Sequence, residues 1–391
     1  MRLTKRGKLK RQKSLIIFGT FSMLLFFSVG YAAFSTTIRL NAKGNVHPTT
    51  TYTVEQLKST AGTCGNGELV QDPYEAGRFI YRGADPCNYL TLGNDTYRMI
   101  AIETDGTLKV IKNDSIGNIV WDPGYSTAIS GVTYKSSENG TRTSSTTTDY
   151  CFWSFASDGC SVWGGADTMR NSSGILLKDA SGDGSAKILK NLSSSTTYDL
   201  PKYDSYINVY LNGGKYLTTS SKGNSSTYQN IIGWVDGLSY NSLIATHLFD
   251  AGIVTYTSGQ TITEDINQAK QYSWQGKIGL ISVIDFVKAN TNTSLCGTVY
   301  SNTYQAGNYS TCKTTNWLVK STNHMTMTIA QAQYVGSTWG VGSEGYAGPF
   351  GVSGESNVYP SFYLISCVKL KGDGTSSNPY KIVTDNTCTN S

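Results

Sequence analysis

The chain has 391 residues and a formal charge of +5, yet its first 13 residues carry seven Lys/Arg and no acid, so the remainder sums to 5 − 7 = −2. A near-neutral body gives no electrostatic reason to bind nucleic acid, which needs a basic patch. Only 15% of residues are charged, against ~25% in ordinary soluble domains, which speaks for an exported surface of Ser, Thr, Asn, Tyr and Gly rather than a cytosolic enzyme.

Residues 1–14 form a basic segment, and residues 15–34 are 20 consecutive positions without a charge. At ~1.5 Å rise per residue such a helix is ~30 Å long, enough to span a bilayer. The cations should stay inside, leaving the rest outside. A retained single-pass anchor and a leader cut before Ala33, after Gly30-Tyr31-Ala32, both satisfy this pattern. The expected location is therefore the cell surface, or the medium after cleavage.

Residues 35–60 read as a spacer that includes a weakly alternating strand at 35–46. Residues 61–391 are expected to be one extracellular domain. The runs 89–93, 96–102 and 107–112, separated by Asn94-Asp95 and Asp105-Gly106, predict a three-stranded meander. Residues 131–196 read as irregular surface loops whose Phe152, Trp153, Phe155 and Trp163 need burial. A helix is predicted over 204–217 with Asp204 as cap, and another over 243–249. Residues 277–281 read as a strand, followed by a Ser282-capped helix through Ala289. A terminal hairpin is predicted from 358–370 and 380–383 around Gly372-Asp373-Gly374.

The eight cysteines are Cys64, Cys87, Cys151, Cys160, Cys296, Cys312, Cys367 and Cys388. Outside the cell an even set reads as disulfides, and no Cys-x-x-Cys pair suggests zinc. Eight cysteines allow 105 connectivities. Sequential pairing (64–87, 151–160, 296–312, 367–388) is the economical choice because each pair closes a short loop.

Catalytic signatures are absent. Gly351-Val352-Ser353-Gly354-Glu355 lacks the last glycine of a nucleophile elbow, and no phosphate loop occurs. The histidines, His47, His247 and His324, form no metal motif, and His47 and His247 read as ordinary surface or core histidines. Asp179, Asp183 and Ser185 lack the order of a calcium loop. Glu264 with Asp265, and Glu344 with Glu355, are the carboxylate pairs a glycosidase could use, and nothing raises them above loop acids. No catalytic residue, metal or cofactor is expected. Tyr334, Trp339, Tyr346 and Phe350, spread through a Gly/Ser-rich segment, are the candidate ligand-binding residues, because rigid aromatics among small polar residues compose many recognition surfaces.

Several phrases carry a family resemblance: Gly30-Tyr31-Ala32-Ala33-Phe34-Ser35-Thr36-Thr37, Tyr89-Leu90-Thr91-Leu92-Gly93-Asn94-Asp95-Thr96-Tyr97-Arg98-Met99-Ile100, Gly276-Lys277-Ile278-Gly279-Leu280-Ile281, Thr315-Asn316-Trp317-Leu318 and 371–380. Together they resemble surface proteins of Gram-positive gut bacteria whose globular part is similar to C-type-lectin-like domains of the kind found in formylglycine-generating enzymes. The resemblance implies an α+β domain with an antiparallel sheet joining first and last strands, two flanking helices and long irregular loops. Tyr359 stands where that family usually has arginine, and no catalytic residue is carried over. The resulting expectation is non-catalytic adhesion to a glycan or protein. The alternatives are a structural subunit of an extracellular fibre or matrix and, more remotely, a glycan- or wall-modifying enzyme.

Overall fold

The computed structural model describes residues 51–122, 161–180, 186–189, 197–200, 204–219, 227–330, 337–352 and 354–383, with 182, 192, 195 and 388. The basic segment, the apolar run 15–34, and Tyr334, Cys151 and Cys160 lie outside the described residues. No helix among the described residues is long and apolar enough to cross a membrane.

The fold is α+β, built mostly from open sheets with few helices. The larger sheet has ten described strands and runs Thr51–Thr53, Lys369–Lys371, Tyr380–Val383, Tyr89–Leu92, Asp95–Ile102, Leu108–Lys112, Ser361–Leu364, Ile278–Gly279, while the hairpin Gly62–Gln71/Phe79–Pro86 branches from Asp95–Ile102. Its pairs are antiparallel except Tyr380–Val383 with Tyr89–Leu92. The meander forms as its turn residues dictate. Gly93 and Gly106 take φ of +58° and +82° in its two turns, a region that glycine enters without steric cost.

A six-stranded sheet contains His324–Ala330, Ser337–Val341 and Ala347–Gly351. A three-stranded sheet combines His247–Asp250, Tyr272–Gly276 and Met169–Asn171. Trp163 is fully buried, edge-on to Trp121 and Trp274 with centroids at 5.1 and 5.8 Å. The loop region therefore supplies both a strand and a core anchor.

Ser282 caps Val283–Lys288 as anticipated, its hydroxyl accepting from the Asp285 N–H while the Asp285 carboxylate accepts from the Ser282 N–H. Three disulfides form, Cys64–Cys87, Cys296–Cys312 and Cys367–Cys388.

Some elements differ from the sequence reading. Residues 247–250 are a strand, not a helix: Leu243, Ile244 and Phe249 suit either period, and the free edge of Tyr272–Gly276 supplies a hydrogen-bonded ladder that a helix would forfeit. The helix Tyr206–Asn212 starts after Ser205, because the Asp204 carboxylate is already taken by the Gly165 N–H and Thr168 hydroxyl. Residues 358–370 divide into two strands, and only Lys369–Lys371 forms the hairpin with Tyr380–Val383. An additional helix, Ile262–Ala269, opens on a Thr261/Glu264 capping box, a pattern legible in the sequence.

Candidate functional site: a tyrosine face

Ser337–Val341 and Ala347–Gly351 form an antiparallel hairpin whose turn is closed by Gly342 N–H to Tyr346 O and Gly345 N–H to Gly342 O, both at 2.8 Å. Side chains alternate across a strand, so Trp339 faces away from Thr338, Gly340 and Phe350. Trp339 is fully buried beside Tyr256, with its indole N–H donating to the Val254 carbonyl at 2.9 Å. It offers no surface to a ligand and packs the core.

The glycines in this hairpin make room for rings. A Cβ at Gly340 would overlap the Phe350 ring, and one at Gly342 would overlap the Tyr346 ring, which also lies against Gly348. Gly345, at φ +89°, turns the chain so that Tyr346 can lie there. Tyr346 and Phe350 are half-buried, with centroids 6.2 Å apart.

Two tyrosines absent from the sequence reading complete the cluster. Tyr304 packs on Tyr346 at 4.1 Å and on Tyr309 at 4.7 Å, and Tyr309 meets Tyr346 edge-on at 6.2 Å. Tyr304 is 53% exposed, so the cluster faces solvent. Tyr304 and Tyr309 lie in the loop closed by Cys296–Cys312. Asn302 pins that loop, its amide donating to the carbonyls of Cys296 and Thr298. The bracketing cysteines were the one sequence signal that could have found these rings. Burial, with Tyr304 alongside, pushes the Tyr346 phenol above its ordinary range, so its hydroxyl stays protonated and able to donate.

The suspected carboxylate pairs have other duties. Glu264 is exposed and closes the Thr261 cap, while Asp265 is buried, accepting from the Val299 N–H and Gln260. Glu344 lies 3.9 Å from Lys313 on the rim of the tyrosine cluster, and Glu355 is exposed on the strand Glu355–Asn357. Among the described residues no group of three or more His, Cys, Asp or Glu could hold a metal ion. His247 stacks on Tyr363 at 3.7 Å and meets Asp105 at 3.1 Å.

No family model matches the chain, and no match is found among curated proteins or solved structures.

Proposed function

We propose that the chain is a non-catalytic recognition protein, exported by its N-terminal segment and retained at or released from the cell surface, that contacts a glycan through Tyr304, Tyr309 and Tyr346. The observation that carries this reading is the assembly itself: three tyrosines from two loops, one closed by a disulfide and one seated on glycines, hold their rings together at the surface. Tyrosine supplies contact area with few rotatable bonds, so ligand binding costs little ordering. Its ring offers an apolar face to the C–H face of a pyranose and a hydroxyl to the sugar's rim. A C-type-lectin-like domain is the reading of the fold we favour, supported by the pairing of Thr51–Thr53, a strand within the stretch that the sequence reads as spacer, with Lys369–Lys371 near the other end of the domain.

The test is retention of the full-length chain on immobilised mucin and glycan arrays. Tyr304→Ala and Tyr346→Ala should each weaken binding about tenfold or more, as aromatic anchors do. Undiminished binding by the folded double variant, or no retention on any glycan, would overturn the reading.

A further inference from the structure

A cleft of about 300 Å³ opens between the ten-stranded sheet, the three-stranded sheet and the helices Ile262–Ala269 and Val283–Lys288. That volume is at the lower end of the roughly 300–1,000 Å³ of small-molecule sites. Four carboxylates and four cations line it. Seven of these eight are paired: Lys109 with Asp285 at 2.8 Å, Arg78 with Glu103 at 2.8 Å, Lys270 with Glu75 at 3.1 Å, and Lys288 with Asp72, which lies behind the wall, at 2.7 Å. The eighth, Asp250, makes no ion pair and no side-chain hydrogen bond among the described residues.

Asp250 is partly buried and stands opposite Ser273 in the strand pair, with Ser273 also on the cleft wall. Leu248, two residues earlier and hence on the same face, lines the cleft, whereas Phe249 turns into the core. Tyr363 reaches the cleft from the larger sheet, stacked on His247, and its hydroxyl has no hydrogen-bond partner among the described residues. Burial holds the Asp250 carboxyl above its usual range, against the pull of Lys109 and Lys270. A half-buried acceptor left without a donor is a cost that a ligand can remove.

We propose that this cleft binds a single neutral sugar residue, with the Asp250 carboxylate accepting from its hydroxyls and Tyr363 and Ser273 completing the polar contacts. Seven of the eight wall charges are already engaged, so beyond the Asp250 carboxylate the cleft offers a ligand little free charge, and a neutral molecule rich in hydroxyls supplies the donors that this carboxylate lacks among the described residues. Hydroxyls donate and accept at once, and so suit a wall that presents both. Leu248 and the edge of Tyr363 supply apolar surface for the C–H face of the ring. This site is separate from the tyrosine face and does not depend on it.

Methyl glycosides of glucose, galactose, mannose, fucose and the two N-acetylhexosamines are the probes, titrated into the full-length chain with saturation-transfer NMR and calorimetry as readouts. At least one should bind, and glucosamine and glucuronate should bind more weakly than their neutral parents. Asp250→Asn, which keeps shape but removes the charged acceptor, should weaken that binding about tenfold or more, and Tyr363→Phe should weaken it by a smaller factor. The titrations are made in the Tyr304→Ala/Tyr346→Ala background, so that no signal from the tyrosine face enters and failure here is distinguishable from failure of that face. Binding of no neutral glycoside, tighter binding of a charged analogue, or full binding by the folded Asp250→Asn/Tyr363→Phe double variant would each overturn the proposal.

Discussion

The Lys109 ammonium lies 2.8 Å from the Asp285 carboxylate, joining a central strand of the larger sheet to the helix Val283–Lys288 across 176 positions of chain. Both side chains are buried, and Arg78 adds a second cation 3.5 Å from Asp285 while bonding Glu103 in a fork. Asp285→Ala should therefore cost roughly 3–5 kcal/mol, because two buried cations lose their shared counter-charge. Replacing Lys109 by Met as well should recover part of that loss. Denaturant titrations of both variants measure the difference.

The same carboxylate predicts an acid limit. Burial alone would raise its pKa, but Lys109 and Arg78 overcome that and hold it at about 2. An unfolded aspartate titrates near ~3.9. Between these values the unfolded chain binds the extra proton, so this contribution is complete above pH ~4 and is lost as pH falls toward about 2. Stability measured from pH 5 downward should fall across that interval.

Asp265 predicts the opposite slope. Burial pushes it up to about 6, despite the Val299 N–H and Gln260 that it accepts from. Here the folded chain holds the extra proton, so stability declines as pH rises from ~4 to about 6, by an amount of order 1–3 kcal/mol. Asp265→Asn should flatten that decline, as thermal melts across the range would reveal.

Trp339→Ala should destabilise the fold by about 3–5 kcal/mol, the cost of emptying a large buried aromatic site. Tyr346→Ala should cost much less, because that ring is half exposed. A Trp339 variant that melted like the parent would contradict the core assignment.

Gly342→Ala should weaken glycan retention nearly as much as Tyr346→Ala, since the new methyl occupies the place of the ring and displaces it. Array binding beside a melting curve separates displacement from unfolding.

Removing Cys296–Cys312 by a double Ala substitution should cost about 3 kcal/mol, the chain-entropy value for a loop of this size, and should loosen Tyr304 and Tyr309. Peptide mapping without reductant checks the bond, and glycan retention checks the rings.

Local grammar was readable without coordinates. The turns at Gly93 and Gly106, the Ser282 cap and three short-range cysteine pairs follow from residues within a few turns or one loop of each other. The crowding of aromatics and glycines around Tyr346 and Phe350 was legible in the same local patterns, whereas the α+β class came from the family resemblance. Tertiary structure decided what local pattern leaves degenerate. It turned His247–Asp250 into a strand by offering a sheet edge, sent Trp339 inward by strand alternation, and brought Tyr304 and Tyr309 beside Tyr346. It also enclosed Lys109 with Asp285 and left Asp250 without an ion pair among the described residues. The physical reason is range: caps, turns and short loops are stabilised by neighbours in sequence, whereas burial and charge pairing depend on which distant segments the core brings into contact.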